Sequence, residues 1–242
     1  MNIIMYSGGK DSTATVILCH QHNIAVDLIL MSEVMYDQNT SGENPEHIKF
    51  IKEVCFPKFK EWGYNVKIVR ADKTFVDYFY RVKIRGKHIG SIYGFPSSGM
   101  CYANGCLKVD PINDFLKGKN YIQYQGIAID EPKRLIKMHA RKNTISILER
   151  YKYTEIMAKR LCLKYGLLSP IYKTSNRGGC WFCPNKSKNE LRELRNNHRT
   201  LWNNLLELEK APNKTYDTFA YGKRYSDMEE LFLDEDRQLK LF

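Results

Sequence analysis

No apolar run in the sequence approaches the roughly 18–20 residues needed to cross a bilayer as a helix, so no membrane partner is expected. Internal repeats and low-complexity tracts are absent as well. The first residues pass straight into an apolar segment with no basic lead and no cleavage site. No signal peptide is therefore read, and a cytoplasmic location is expected. The seven cysteines are an odd number for a disulfide framework, and none follows Cys183. Without an export signal, reduced thiols or metal ligands are the better reading. Acidic residues fall short of basic ones, 27 against 38, which leaves a formal charge of +11. Such a surface favours polyanionic partners, whether nucleotide, nucleic acid or both. A length of 242 residues supports one large α/β domain, or one with an appended subdomain.

What is present is organised around Ser7-Gly8-Gly9-Lys10-Asp11-Ser12-Thr13. The apolar run Ile3-Ile4-Met5-Tyr6 before it predicts a buried strand, and Ala14 to Cys19 after it predicts a helix. A strand, a glycine turn and a helix N-terminus form an anion site, because backbone N–H groups converge and the helix end adds partial positive charge. Lys10 can neutralise a phosphate, and Ser7 and Ser12 offer hydroxyls. The Walker A pattern needs a further upstream glycine that this stretch lacks.

Further along, Val26–Met31 and Asn65–Arg70 predict a second and third strand. Between them, Asn44-Pro45 opens a helix carrying Ile48, Ile51, Cys55, Phe59 and Trp62, with a kink or break expected at Pro57. Thr74 to Val82 reads as helix and Arg85 to Gly105 as a long functional loop, and Lys83, Arg85 and Lys87 form a basic run at its start that reads as a solvated face. Tyr121–Ile127 and Thr144–Leu148 predict two more strands, and Thr154 caps a helix closed by Gly166. The β-α alternation implies a doubly wound parallel sheet with its ligand site beyond the strand carboxyl ends. Between Asp130 and Lys164 there are ten Lys and Arg against four Asp and Glu, so the basic excess concentrates there. Past Pro184, the capping box Ser187-x-x-Glu190 opens one helix with Leu191, Leu194, Leu201, Trp202, Leu205 and Leu208 on a stripe, ended by Pro212. An acidic helical segment begins at Ser226 and is expected to pack on the domain or shield its basic face. Residues 1–185 and 186–242 are accordingly read as a main domain and a helical C-terminal extension. His47 and His88 lie on or near loops that could face the site, though a lone histidine is more often a surface one.

Cys180-Trp181-Phe182-Cys183 is a C-x-x-C knuckle behind Gly178-Gly179, and Cys101-x4-Cys106 is a second pair. Two close pairs from separate loops make a four-thiolate site suited to zinc or an iron–sulfur cluster. The plainer reading is a redox pair plus unrelated thiols. Cys19, Cys55 and Cys162 fall on apolar helix faces and read as buried small hydrophobes.

Ser-Gly-Gly-Lys-Asp-Ser after a first strand resembles the PP-loop of adenine-nucleotide α-hydrolase-like enzymes. Gly42-Glu43-Asn44-Pro45-Glu46-His47, Cys106 to Pro111 and Gly126 to Arg134 follow it in an order similar to that of the phosphoadenosine phosphosulfate (PAPS) reductase family. The resemblance covers about residues 1–185 and implies a PP-loop/HUP-like, Rossmann-like fold with a cysteine-rich metal subsite. It implies that Ser7, Gly8, Gly9, Lys10, Asp11 and Ser12 hold nucleotide phosphates, with Lys108 and Arg134 adding positive charge. Lys10, Asp11, Lys108 and Arg134 are the expected catalytic set. The adenylyl-sulfate-reducing branch further implies a [4Fe–4S] cluster on Cys101, Cys106, Cys180 and Cys183, with zinc as the alternative. That family's reductases attack with a C-terminal tail cysteine, which Pro184–Phe242 lacks. The reading that follows is an ATP pyrophosphatase using ATP and Mg²⁺, coupled to sulfur transfer onto an acceptor such as tRNA or DNA. It implies a sulfur donor or reductant protein as partner. A sulfonucleotide reductase with an external or non-tail thiol is one alternative, and a non-catalytic nucleotide-binding module with structural zinc is another.

Overall fold

The apolar N-terminal run forms β1 (Asn2–Tyr6) in the computed structural model, which describes residues 1–96, 101–175, 178–219 and 222–239. It is the middle of a five-stranded, all-parallel sheet with β2 (Leu28–Ser32), β3 (Val66–Val69), β4 (Ile122–Gln125) and β5 (Thr144–Ser146). The order is β3-β2-β1-β4-β5, so the direction of winding reverses between β1 and β4. Beyond the carboxyl ends of those two strands such a sheet opens a crevice.

The helices after the first three strands are α1 (Lys10–Gln21), α2 (Pro45–Phe50), α3 (Phe56–Glu61) and α4 (Phe75–Phe79). Next come α5 (Tyr102–Asn104), α6 (Asp110–Leu116), α7 (Pro132–His139), α8 (Ile147–Arg150) and α9 (Glu155–Lys164). The last three are α10 (Lys188–Asn197), α11 (Arg199–Glu209) and α12 (Tyr225–Leu239). Alternation along β1 covers the sheet on both faces: Ile4 and Tyr6 join the cluster of Val16, Ile17, Phe59 and Leu161, while Ile3 packs with Leu30 and Leu116. The result is an α/β architecture compatible with a Rossmann-like fold. No helix among the described residues is long and apolar enough to cross a membrane.

Several boundaries differ from expectation for identifiable reasons. Pro57 does not break its helix, because a π-helical turn at Ile51–Cys55 absorbs the missing N–H bond and the chain runs on into α3. The helix capped by Thr74 stops at Phe79 rather than Val82, where the chain turns into a hairpin. Helix also enters the expected Arg85–Gly105 loop at α5; the part of that loop from 97 to 100 lies outside the described residues. The fifth strand ends at Ser146, whose hydroxyl accepts the Glu149 N–H and caps α8. The single helix expected after Ser187 is two, α10 and α11, divided at His198 (φ −134°, ψ 57°). The stripe survives the break: Leu191, Leu194, Trp202, Leu205 and Leu208 share one buried cluster with Phe75, Phe79, Trp181 and Phe182.

The acidic α12 packs through Tyr225, Met228 and Phe232, and among the described residues its ion pairs to other elements go to α10 and α11 rather than to the basic 130–164 stretch. Arg195, only 7% exposed, donates to Glu229 (2.9 Å) and Asp236 (2.8 Å), and Arg199 and Trp202 also donate to Glu229. Breaking the largely buried Arg195–Glu229 pair costs about 3 kcal/mol. Arg195→Ala is therefore expected to lower the melting temperature by roughly 6–12 °C, measured by calorimetry. An unchanged transition would mean that α12 is held by its apolar side alone.

Candidate functional site

The glycine turn works through close approach. Gly8 sits at φ +72°, and a Cβ there would fall 2.2 Å from Ile51 Cδ1 and 2.8 Å from the His47 ring. At the end of β4, a Cβ on Gly126 would lie 2.5 Å from the carbonyl carbon of Asp11 and 2.6 Å from Ser12 N. Glycine at both places lets the strand ends press against the first turn of α1. That helix starts at Lys10 rather than Ala14, so the Lys10, Asp11 and Ser12 amides of its first turn have no partner within the helix, whereas the Thr13 N–H already donates to the Gly9 carbonyl (3.0 Å). The Lys10 N–H donates to the Tyr172 hydroxyl (2.8 Å), supplied by a 3-10 turn at Pro170–Lys173.

The charged groups form a compact set. Lys10 Nζ donates to Asp11 (2.7 Å) and to Glu155 (2.6 Å). Burial opposes its charge, yet the two carboxylates hold its pKa above the ordinary lysine value. The Asp11 carboxyl is pushed up by burial, against the pull of Lys10, with Glu155 and Glu131 adding to the rise. Its Oδ1 is buried without a hydrogen-bond partner. An orphaned carboxylate oxygen is a donor of the kind a divalent cation takes, but among the described residues no three such groups are arranged to hold one. Arg134 pairs with Glu131, and Asp130 accepts the Glu155 N–H at the start of α9.

A cleft of about 650 Å³ lies at the β1/β4 reversal, a size suited to a nucleotide-sized ligand. Ser7, Gly9, Lys10, Asp11, Ser12, Lys108 and Arg134 line it together with Glu43, Glu131, Glu155 and Tyr172. The residues expected to meet phosphates thus come together from separate segments, with Gly8 packed beneath them.

His47 is no surface histidine. It is 1% exposed, its Nε2 lies 3.2 Å from the Ser7 carbonyl and its Nδ1 lies 2.8 Å from the Ser169 hydroxyl. The carbonyl can only accept, so Nε2 carries the proton and Nδ1 accepts from Ser169. Burial holds its pKa below the ordinary value of 6.5, with Glu43 and the Ser7 backbone opposing and Lys108 reinforcing. Gly8 needs this ring as its floor, but spacing alone pairs no residue with a glycine 39 positions away. Tyr172 and Glu155 were likewise invisible in the sequence, since only the folded crossings bring them to Lys10.

The four cysteines converge in part. Glu43 forms an antiparallel bridge with Cys180, and the Cys183 N–H returns to the Cys180 carbonyl (3.2 Å) to close the knuckle. Burial, then Glu43, pushes the Cys180 thiol well up; Lys108 opposes, and Cys183 and Cys101 add to the rise. Burial raises the Cys101 thiol, backbone hydrogen bonds from Asn104 and Ala103 oppose the rise, and Cys183 adds to it. Among the described residues no group of three or more His, Cys, Asp or Glu is arranged as it stands to hold a metal ion. The all-sulfur donor set nevertheless suits a thiophilic metal. Cys19, Cys55 and Cys162 are fully buried, as their helix positions implied. Lys108 joins the two regions: it lines the cleft, pairs with buried Glu43 (3.4 Å), and feels the charges of Cys180 and Cys183.

No protein-family model matches the chain, and no curated protein matches it.

The His47 geometry gives a stability test. Its depressed folded pKa means that the unfolded chain binds a proton the folded one refuses. The contribution is present above about pH 6.5 and fades as pH falls from there through the folded-state value. The melting temperature is expected to drop between pH 7.5 and 5.5, and His47→Gln, which can still donate to Ser7, should flatten that slope. Parallel slopes in the two proteins would show that His47 does not titrate on unfolding.

Proposed function

We propose that the chain is a PP-loop ATP pyrophosphatase of the PAPS-reductase kind, which adenylylates an acceptor before sulfur transfer. One observation carries this reading: the glycine turn and first turn of α1 face the same cleft as Lys108 and Arg134, at the reversal point of a parallel sheet. The ATP phosphates would lie along the Ser7–Ser12 turn, where amide dipoles and Lys10 face them. Mg²⁺ would take Asp11, which has the unpartnered oxygen. An acceptor oxygen attacks the α-phosphorus, a new P–O bond forms, the bond to the β-phosphate oxygen breaks, and pyrophosphate leaves. Lys10 and Arg134 stabilise the charge that builds on the departing group. A sulfide equivalent from a donor protein then displaces AMP from the activated position.

Lys10 is held by Asp11 and Glu155, so binding exchanges carboxylate for phosphate around a cation whose charge is already secured. Positioning and charge stabilisation, rather than proton transfer, thereby account for the chemistry.

Cys101, Cys106, Cys180 and Cys183 are proposed to hold a [4Fe–4S] cluster or zinc, on the grounds of donor chemistry and their partial convergence. A bound cluster would supply a place to hold or relay sulfur.

Incubation with ATP and Mg²⁺ is expected to release pyrophosphate, and Lys10→Ala should cut the rate at least about 100-fold. Sulfite released from adenylyl sulfate with thioredoxin would instead establish the reductase alternative. Nucleotide binding with neither reaction would leave a binding module. Protein purified without oxygen is expected to carry iron and a brown chromophore that is lost in Cys180→Ala. One zinc in a colourless protein would replace the cluster with a structural metal, and neither metal would remove the four-thiolate site.

A further inference from the structure

Between α4 and α5 the chain forms a short hairpin, residues 80–93, that carries an unusual surface. Val82 and Ile92 form an antiparallel bridge, and the Lys83 N–H donates to the Ser91 carbonyl (2.9 Å), while the Tyr93 N–H donates to Arg81 (3.0 Å). The base is pinned by Ile92 against Lys214 and by Thr215 N to the Ile92 carbonyl (2.9 Å). The turn passes through positive φ at Gly86, His88 and Gly90. A rigid base and a tight tip make this a projecting element.

Arg81, Lys83, Arg85 and Lys87 follow one another on it, and among the described residues none has a carboxylate partner. By contrast, Arg192, Arg195 and Arg199 on the C-terminal helices are neutralised by α12. Aromatic rings interleave with the cations: Arg81 lies over Tyr78 (5.7 Å) and Tyr93 (5.9 Å), and Lys83 lies over Tyr93 (5.6 Å). At the tip, Ile84 and Ile89 are 77% and 67% exposed between the charges. Uncompensated cations, aromatic faces and apolar wedges match what a nucleic-acid strand requires: phosphate contacts, stacking and insertion beside bases. The hairpin also adjoins the cysteine segment, since the Tyr93 ring packs edge-on against Tyr102 (5.7 Å), the residue after Cys101.

We propose that the 80–93 hairpin is a nucleic-acid-binding finger that lays its strand beside the cysteine cluster. This deepens the functional reading above by naming the acceptor class, and it rests on that reading only for the purpose of binding. Lys83, Arg85 and Lys87 engage the phosphates, and Ile84 and Ile89 contact the bases.

The test uses the full chain and labelled 30-nucleotide DNA and RNA, single-stranded and duplex, by fluorescence anisotropy across a salt series. At about 100 mM salt the Lys83→Gln/Arg85→Gln/Lys87→Gln variant should bind at least tenfold more weakly, and its salt slope should fall by about 2. Ile84→Ser should weaken binding with no change in slope. ATP binding should persist in the triple variant, and nucleic-acid binding should persist in Lys10→Ala, so the finger and the nucleotide site fail separately. Unchanged affinity and slope in the triple variant would overturn the proposal. So would tighter binding to vesicles of phosphatidylcholine with phosphatidylserine, or to poly-glutamate, than to any oligonucleotide.

Discussion

The site depends on backbone meeting backbone without a side chain between. Gly126 brings the end of β4 onto the carbonyl and amide of α1's first turn, and Gly8 lets the turn after β1 settle on His47 and Ile51. A methyl group at either place would collide at about 2 to 3 Å, far inside ordinary contact distance. With these approaches in place, the first-turn amides and the Ser7 and Ser12 hydroxyls, 3.3 Å apart, face one crevice. His47 completes the arrangement from below, because a neutral ring with a fixed tautomer holds the Ser7 carbonyl and keeps it turned away from any anion.

The electrostatics follow from that frame. Lys10 is the only cation in direct contact with both Asp11 and Glu155 in the salt bridges of the described residues, and the three neutralise one another incompletely. Burial chiefly, with Glu155 and Glu131 adding to it against the pull of Lys10, raises the Asp11 pKa, and one of its oxygens is unpaired. The crevice is thus polar and partly acidic, and is bordered by Lys108 and Arg134.

Much of the frame was legible in the residues because it is local. Ile3 to Tyr6 and the glycines after them carry their strand and turn in their own spacing, and Thr154 and Ser187 announce their helices through side chains that cap within three residues. The boundaries that moved were those where local rules yield to a tertiary partner. Pro57 kept its helix through a π-turn, and His198 broke one, because the apolar stripe on α10 and α11 is served better by two segments than by one. His47, Tyr172 and Glu155 left no trace in the sequence. Each reaches the phosphate turn from 40 to 162 positions away, and no periodicity encodes such a distance.

Those distant contacts give the site its connection to the cysteines. One stretch of chain, from Ser169 to Cys183, supplies the hydroxyl that fixes His47, the Tyr172 hydroxyl that occupies the Lys10 amide, the Gly178 and Gly179 backbone that borders the cleft, and the knuckle itself. An anion that takes the Lys10 N–H must displace Tyr172, and Tyr172 lies eight residues before Cys180. Lys108 closes the circuit from the other side, since it pairs with Glu43, whose backbone bridges Cys180, and it also borders the cleft. The glycine turn and the knuckle thus share two structural links, one along the Ser169–Cys183 stretch and one through the Lys108–Glu43 ion pair.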